Sequence, residues 1–291
     1  MDDVEHLFWQ SADGLKLHAR DYRPEPQAWN GRTVVCIPGL TRNATDFDSI
    51  ARQILATGWR VIAVDLRGRA GSERARDPQS YNPRTYASDM LALLDSQGIE
   101  RAVFIGTSLG VLVTMTVAAR APERIAAAVL NDAGPEVPRQ ALVRIGRYAG
   151  RTVPPMTLEH AVAYVSAIGK PAFPRYGDAE WRDMTSRMFR VRDDGLLELD
   201  YDPAIVRTVR PWLLWLLRPV LWRMWRALAR CGPMLVVRGA LSDILAADVA
   251  RRMLANAKDA VLAEVPDVGH APFLGEPEAR DAILALLRRA P

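Results

Sequence analysis

The stretch Val103-Phe104-Ile105-Gly106-Thr107-Ser108-Leu109-Gly110-Val111 constrains the fold more than any other part of the chain. An apolar strand runs into a Gly-x-Ser-x-Gly pentapeptide, and a small-residue helix continues through Met115 to Ala119. A strand can turn into a helix this abruptly only where the two backbones nearly touch. Gly106 and Gly110 permit that approach, and Ser108 is pushed outward with its hydroxyl free. The Leu109 amide, at the N-terminus of the new helix, points to where a negative oxygen could form. Taken alone, the pentapeptide fits an ordinary strand–helix turn as well as a nucleophilic serine.

The flanking pattern narrows the fold. Residues 4–9 and 15–22 alternate apolar and polar around Ala12-Asp13-Gly14, which predicts an antiparallel hairpin. Continuous apolar runs at 33–37, 60–64, 103–107 and 124–130 alternate with helical spacing at 46–57, 85–96 and 109–120. This rhythm predicts a parallel sheet covered by helices on both faces. It stops at Gly134 and resumes at Met234, with strands at 234–239 and 260–265 and a last helix at 277–289. Residues 134–231 carry helix-like segments at 137–150, 157–168, 178–189 and 203–229, with Leu196 to Leu199 as one short extended piece. The expected organisation is a core of residues 1–133 and 232–291, interrupted by a helical lid over 134–231.

Composition excludes several classes. Apolar residues make up 49% of the 291 and charged residues 25%, ordinary values for a globular chain. The net charge is +4, and all but Lys16, Lys170 and Lys258 of the 38 basic residues are Arg. These are spread along the chain without a dense cluster, so no nucleic-acid surface is expected. No apolar run approaches the length of a membrane span. Cys36 and Cys231 form no disulfide framework, and the acidic start Met1-Asp2-Asp3 is unlike a signal peptide. Both features point to the cytoplasm. Oligomeric state leaves no mark in the sequence.

A serine hydroxyl needs a general base and a group that orients the base. Of the four His, His6 and His18 fall in the hairpin and His160 in a lid helix. His270 lies in the turn-rich loop Pro266 to Phe273 after the last strand, at the carboxyl edge where open α/β sheets place their chemistry. The orienting carboxylate should come from the same edge. Asp243 follows the strand ending at Gly239 and is the first choice; Asp132, after the strand ending at Leu130, is the alternative. A second oxyanion donor is expected from the Leu40 amide in Pro38-Gly39-Leu40, opposite Leu109. Arg42 and Asn43 follow directly, as substrate contacts or as a solvent-facing loop.

The ordered set Pro38-Gly39-Leu40, Asp65-Leu66-Arg67-Gly68, Gly106-Thr107-Ser108-Leu109-Gly110, Ser242-Asp243 and Gly269-His270 resembles the α/β-hydrolase superfamily. The resemblance covers residues 31–134 and 232–289. It implies an eight-stranded, mostly parallel sheet, a Ser108–His270–Asp243 triad, no metal and no organic cofactor. Many members have His-Gly where this chain has Pro38-Gly39, so the oxyanion loop departs from the pattern. Family members that open epoxides or remove halogen carry Asp at the elbow, and Ser108 argues against both activities.

Serine chemistry leaves acyl transfer to water. The expected substrate is a small, fairly apolar carboxylic ester or lactone. Carbon–carbon hydrolysis of ring-cleavage products or β-diketones is the alternative within the same triad, although such relatives often have Trp where Ala271 stands. A ligand-binding protein with little turnover is the alternative from another class. The run Pro211 to Trp225 holds four Trp, with Trp212 and Trp215 on one helix face and Trp222 and Trp225 on another. Together with Met184 and Met188 it reads as lid packing, as an apolar pocket wall, or as a membrane-surface face.

Overall fold

The computed structural model describes residues 4–150, 152–207 and 216–291, the side chains of 147 and 148 apart. The chain opens with the hairpin of β1 (Glu5–Gln10) and β2 (Lys16–Tyr22). Strands β3 (Thr33–Ile37), β4 (Arg60–Asp65), β5 (Ala102–Thr107) and β6 (Ile125–Asn131) follow, separated by α1 (Asp48–Leu55), α2 (Pro83–Ser96) and α3 (Leu109–Arg120). After β6 the chain leaves the sheet. The excursion contains α4 (Arg139–Tyr148), α5 (Leu158–Gly169), α6 (Asp178–Met188), the short hairpin β7 (Phe189–Val191) with β8 (Leu197–Leu199), and α7 (Arg218–Leu228). Strand β9 (Met234–Gly239) returns to the sheet, followed by α8 (Ala247–Ala255), β10 (Ala260–Val265) and α9 (Pro277–Arg289).

The eight long strands form one sheet in the order β1-β2-β4-β3-β5-β6-β9-β10. The β1–β2 and β2–β4 pairs are antiparallel and the others parallel. Side-chain alternation sorts each central strand between two cores. Val35, Ile37, Phe104 and Leu130 meet α2, α3, α7 and α8 on one face. Val34, Cys36, Val103 and Ile105 meet α1 and α9 on the other. Both faces are covered, so the central strands read as unbroken apolar runs.

The excursion divides by packing. Ala161, Val165, Phe173, Trp181, Met184, Phe189 and Leu197 form a small core of their own around α5, α6 and the β7–β8 hairpin. Helix α7 instead returns to the main core. Trp225 is fully buried there, and its indole N–H donates to the Met253 carbonyl at 3.2 Å. Trp222 donates to Glu136 at 2.7 Å. This half of the Trp-rich run is therefore packing rather than pocket wall. Trp212 and Trp215 lie outside the described residues. Of the helix expected over 203–229, the described residues include a 3-10 turn at Pro203–Val206 and α7, which has Pro219 in its first turn, where proline needs no N–H partner; residues 208–215 lie outside them. Among the described residues no helix is long and apolar enough to cross a membrane.

Candidate active site

The turn from β5 into α3 is as tight as its glycines imply. A Cβ on Gly106 would lie 2.5 Å from the Gly110 carbonyl, and one on Gly110 would lie 2.1 Å from the Ile37 oxygen. Ser108 sits between them at φ +53°, a left-handed conformation that costs a non-glycine residue about 1–3 kcal/mol. The surroundings hold it there: its N–H donates to the Asn131 carbonyl at 3.0 Å, and α3 starts at the next residue.

His270 reaches Ser108 from the loop after β10. Its Nε2 is 2.9 Å from Ser108 Oγ, and its Nδ1 is 2.8 Å from Asp132 Oδ2. Asp132 is wholly buried and His270 nearly so. The carboxylate can only accept, so Nδ1 carries the proton and Nε2 offers its lone pair to the serine hydroxyl. The arrangement can draw the proton from Ser108 as the oxygen attacks a carbonyl carbon, and it can stabilise the imidazolium that results.

The acid contact therefore comes from Asp132 and not from Asp243, a correction to the sequence expectation. Strands β6 and β9 are neighbours, so the loops after them meet at one point. Asp132, at φ +55°, turns inward; its Oδ1 accepts from the Gly239 N–H at 3.1 Å and its Oδ2 from Ser242 Oγ at 2.6 Å. Asp132 thus holds the Gly239 amide and His270 at once. The tight turn at Gly239 aims Ser242 inward, with the Ser242 N–H donating to the Gly239 carbonyl at 2.9 Å. The next side chain faces out. Asp243 is half-exposed and pairs with Arg144 of α4 through two contacts of 2.6 and 2.7 Å.

The loop after β3 lies on the other side of Ser108. A Cβ on Gly39 would sit 3.7 Å from Ser108 Cβ, so this backbone lies beside Ser108. Leu40 lines the cavity beside it. Leu109 opens α3, and its N–H belongs to the first turn, where no helical carbonyl is in reach.

A cavity of roughly 150 Å³ adjoins Ser108 and His270. Val165, Ile168, Phe173, Met184 and Met188 from α5, α6 and the loop between them give it an apolar roof, and Phe273 forms one side. The excursion grips the histidine loop directly: the Gly269 N–H donates to the Ala172 carbonyl at 2.6 Å. Met184 and Met188 thus line the cavity. Arg42 is also there, bonded to Asp46 through its Nε at 2.7 Å and lying 5.5 Å from the centre of the Phe273 ring. Asn43 is not. It is buried, its Oδ1 accepts from the Thr45 N–H at the start of a 3-10 turn, and its Nδ2 donates to the Arg187 carbonyl at 2.9 Å. Its amide is committed to joining the loop to α6.

Two supporting residues escaped the sequence reading. Asn131 donates through Nδ2 to Thr107 Oγ1 at 3.0 Å and to the Pro272 carbonyl at 2.7 Å, joining the elbow to the histidine loop. Ser242 gives Asp132 a second donor. Asn131 is adjacent to Asp132 in sequence, and that pairing at a strand end was the available signal. The remaining buried histidine is differently placed: His18 pairs with Asp65 at 2.6 Å, but its far nitrogen meets His6 rather than a hydroxyl. Among the described residues no three His, Cys, Asp or Glu side chains converge on a metal-sized site.

The chain is similar to known hydrolases over most of its length. The chain is 36% identical over 276 residues to a 3-hydroxybutyrate-oligomer hydrolase of Cupriavidus necator, covering 93% of each chain. A 2-(acetamidomethylene)succinate hydrolase of Mesorhizobium japonicum is 25% identical over 83% of this chain and 82% of its own. The crystal structure of an alpha/beta hydrolase from Novosphingobium aromaticivorans superposes with a TM-score of 0.90 at 40% identity, covering all of both chains. Residues 34–283 match the Alpha/beta hydrolase family, and with the sheet order and the elbow described above the chain belongs to that family.

Proposed function

We propose that the protein is a serine ester hydrolase that cleaves short esters of 3-hydroxy acids through an acyl-enzyme on Ser108. The observation that carries the reading is the unbroken line from Asp132 through His270 to Ser108, with contacts of 2.8 and 2.9 Å. Ser108 attacks the ester carbonyl as His270 Nε2 takes its proton. The tetrahedral oxygen is held by the Leu40 and Leu109 amides, and His270 then protonates the departing alcohol. Water, activated by the same nitrogen, releases the acid.

The substrate class rests on the similarity to the 3-hydroxybutyrate-oligomer hydrolase over nearly the whole chain. The cavity is consistent with it. About 150 Å³ is the space of one benzene-sized group, which suits a four-carbon acyl unit better than a long fatty chain. The excursion acts as a lid in this reading, with Met184 and Met188 against the acyl group.

The test offers the purified protein the dimer and trimer of 3-hydroxybutyrate, p-nitrophenyl butyrate, a lactone and a β-diketone. Release of 3-hydroxybutyrate is expected, together with a single fluorophosphonate adduct on Ser108 located by mass spectrometry. Turnover of the diketone alone would move the protein to carbon–carbon hydrolysis. No turnover and no adduct would refute the serine mechanism.

A further inference from the structure

Two buried arginines lie two residues apart in the loop after β4, and their surroundings differ sharply. Arg67 is neutralised by two carboxylates, Asp89 at 2.6 Å and Asp13 at 2.8 Å. Arg69 is equally buried, at 1% exposure, and among the described residues it makes no ion pair. Its Nε and Nη2 both donate to the carbonyl oxygen of Leu40, at 3.1 and 2.9 Å. Its Nη1 donates to the Arg67 carbonyl at 2.6 Å and to the Tyr86 hydroxyl at 2.9 Å. The rings of Tyr86 and Tyr81 lie 5.2 and 5.8 Å from the guanidinium carbon.

Burying a cation without a counter-ion is costly, and neutral oxygens and aromatic rings offset that cost only in part. Neutral alternatives would fill the same space more cheaply. The charge is directed at the carbonyl of Leu40, the residue whose N–H, one peptide unit earlier, serves as an oxyanion donor in the mechanism proposed above. The planar fork clamps the Leu40 carbonyl, and the preceding residue, Gly39, lies beside Ser108. The segment that borders Ser108 is thereby held from behind. The same guanidinium places a buried positive charge behind the loop, where fields act strongly on developing negative charge.

We propose that Arg69 is a positioning residue for ester hydrolysis: by holding the Leu40 carbonyl it fixes the backbone that presents the Leu40 N–H as an oxyanion donor, and it biases the site toward the tetrahedral intermediate. This inference rests on the serine hydrolase reading above. The experiment compares wild type with Arg69→Met and Arg69→Lys on the same p-nitrophenyl ester. Affinities are measured for an alkyl boronic acid, which forms a tetrahedral adduct on serine, and for the planar product acid. Arg69→Met should lower kcat by about 10²-fold and Arg69→Lys, which keeps the charge but loses the fork, by about tenfold. Boronate affinity should fall in parallel, while affinity for the product acid and KM change by less than about twofold.

A purely structural role predicts a different pattern. The variants would then lose thermal stability with kcat and the boronate-to-product affinity ratio unchanged, and that result overturns the proposal. Equal weakening of both ligands overturns it as well. If Arg69→Met does not fold, the Arg69→Lys comparison gives the same discrimination. Wild-type turnover and labelling of Ser108, measured alongside, separate failure of this inference from failure of the hydrolase reading.

Discussion

Replacing Asp132 with Asn removes a buried negative charge while keeping the side chain's shape. Asn Oδ1 can still accept from the Gly239 N–H, so the loop between β6 and the excursion should fold. The carboxylate, however, touches His270 at 2.8 Å and is fully buried. In the transition state the imidazole carries a positive charge whose centre lies about 4 Å from that of the carboxylate. At an effective dielectric of about 20 the pair is worth roughly 4 kcal/mol, or about three orders of magnitude in rate. The amide also has an N–H to present, which favours the wrong histidine tautomer and adds about one further order. The expected loss in kcat is therefore about 10³–10⁴. Asp243→Asn breaks only a half-exposed pair with Arg144, worth about 1 kcal/mol or less, and should change kcat by less than about threefold. Both variants are assayed on p-nitrophenyl butyrate, with circular dichroism to check folding and the rate of phosphonate labelling as a second measure of serine reactivity. A folded Asp132→Asn enzyme within tenfold of wild type, or a loss of 10² or more in Asp243→Asn, would refute this assignment of the acid.

Three other perturbations test the structure at separate points. Gly110→Ala puts a methyl 2.1 Å from the Ile37 oxygen and should destabilise the protein by about 3 kcal/mol, read as a lower urea midpoint. Met184→Trp fills the roof of the cavity and should shift preference toward shorter acyl groups, seen as a falling ratio of kcat/KM for butyrate over acetate esters. The hydrogen bonds from Arg67 hold the Asp13 carboxyl down to about 2 against an ordinary 3.8. Its stabilising contribution is thus complete above pH 3.8 and is lost as the pH falls through about 2, so Asp13→Asn should lower Tm at neutral pH by an amount that shrinks toward pH 2.

The sequence by itself determined everything that depends on near neighbours along the chain. Gly106 and Gly110 are legible because the strand-to-helix turn is a local steric problem, and they mark Ser108 as a candidate that only the other loops of the sheet edge can single out. His270 is legible because it is the one histidine in a loop after a parallel strand. The sheet was legible because strands covered on both faces must be continuously apolar. The choice between Asp132 and Asp243 was not. Both follow parallel strands in the same chain order, and those strands are neighbours, so only the two loop conformations separate them. Asp132 enters at a positive φ, and Ser242 takes the inward place that Asp243 would need. Asn43 and Trp225 were undecidable for the same reason: an amide or an indole carries its chemistry in any surroundings, and its partner, the Arg187 carbonyl or the Met253 carbonyl, is brought to it only by packing. Arg67 and Arg69 show the limit most clearly. Separated only by Gly68, they are chemically identical, and the tertiary structure gives one of them two carboxylates and the other the carbonyl of Leu40.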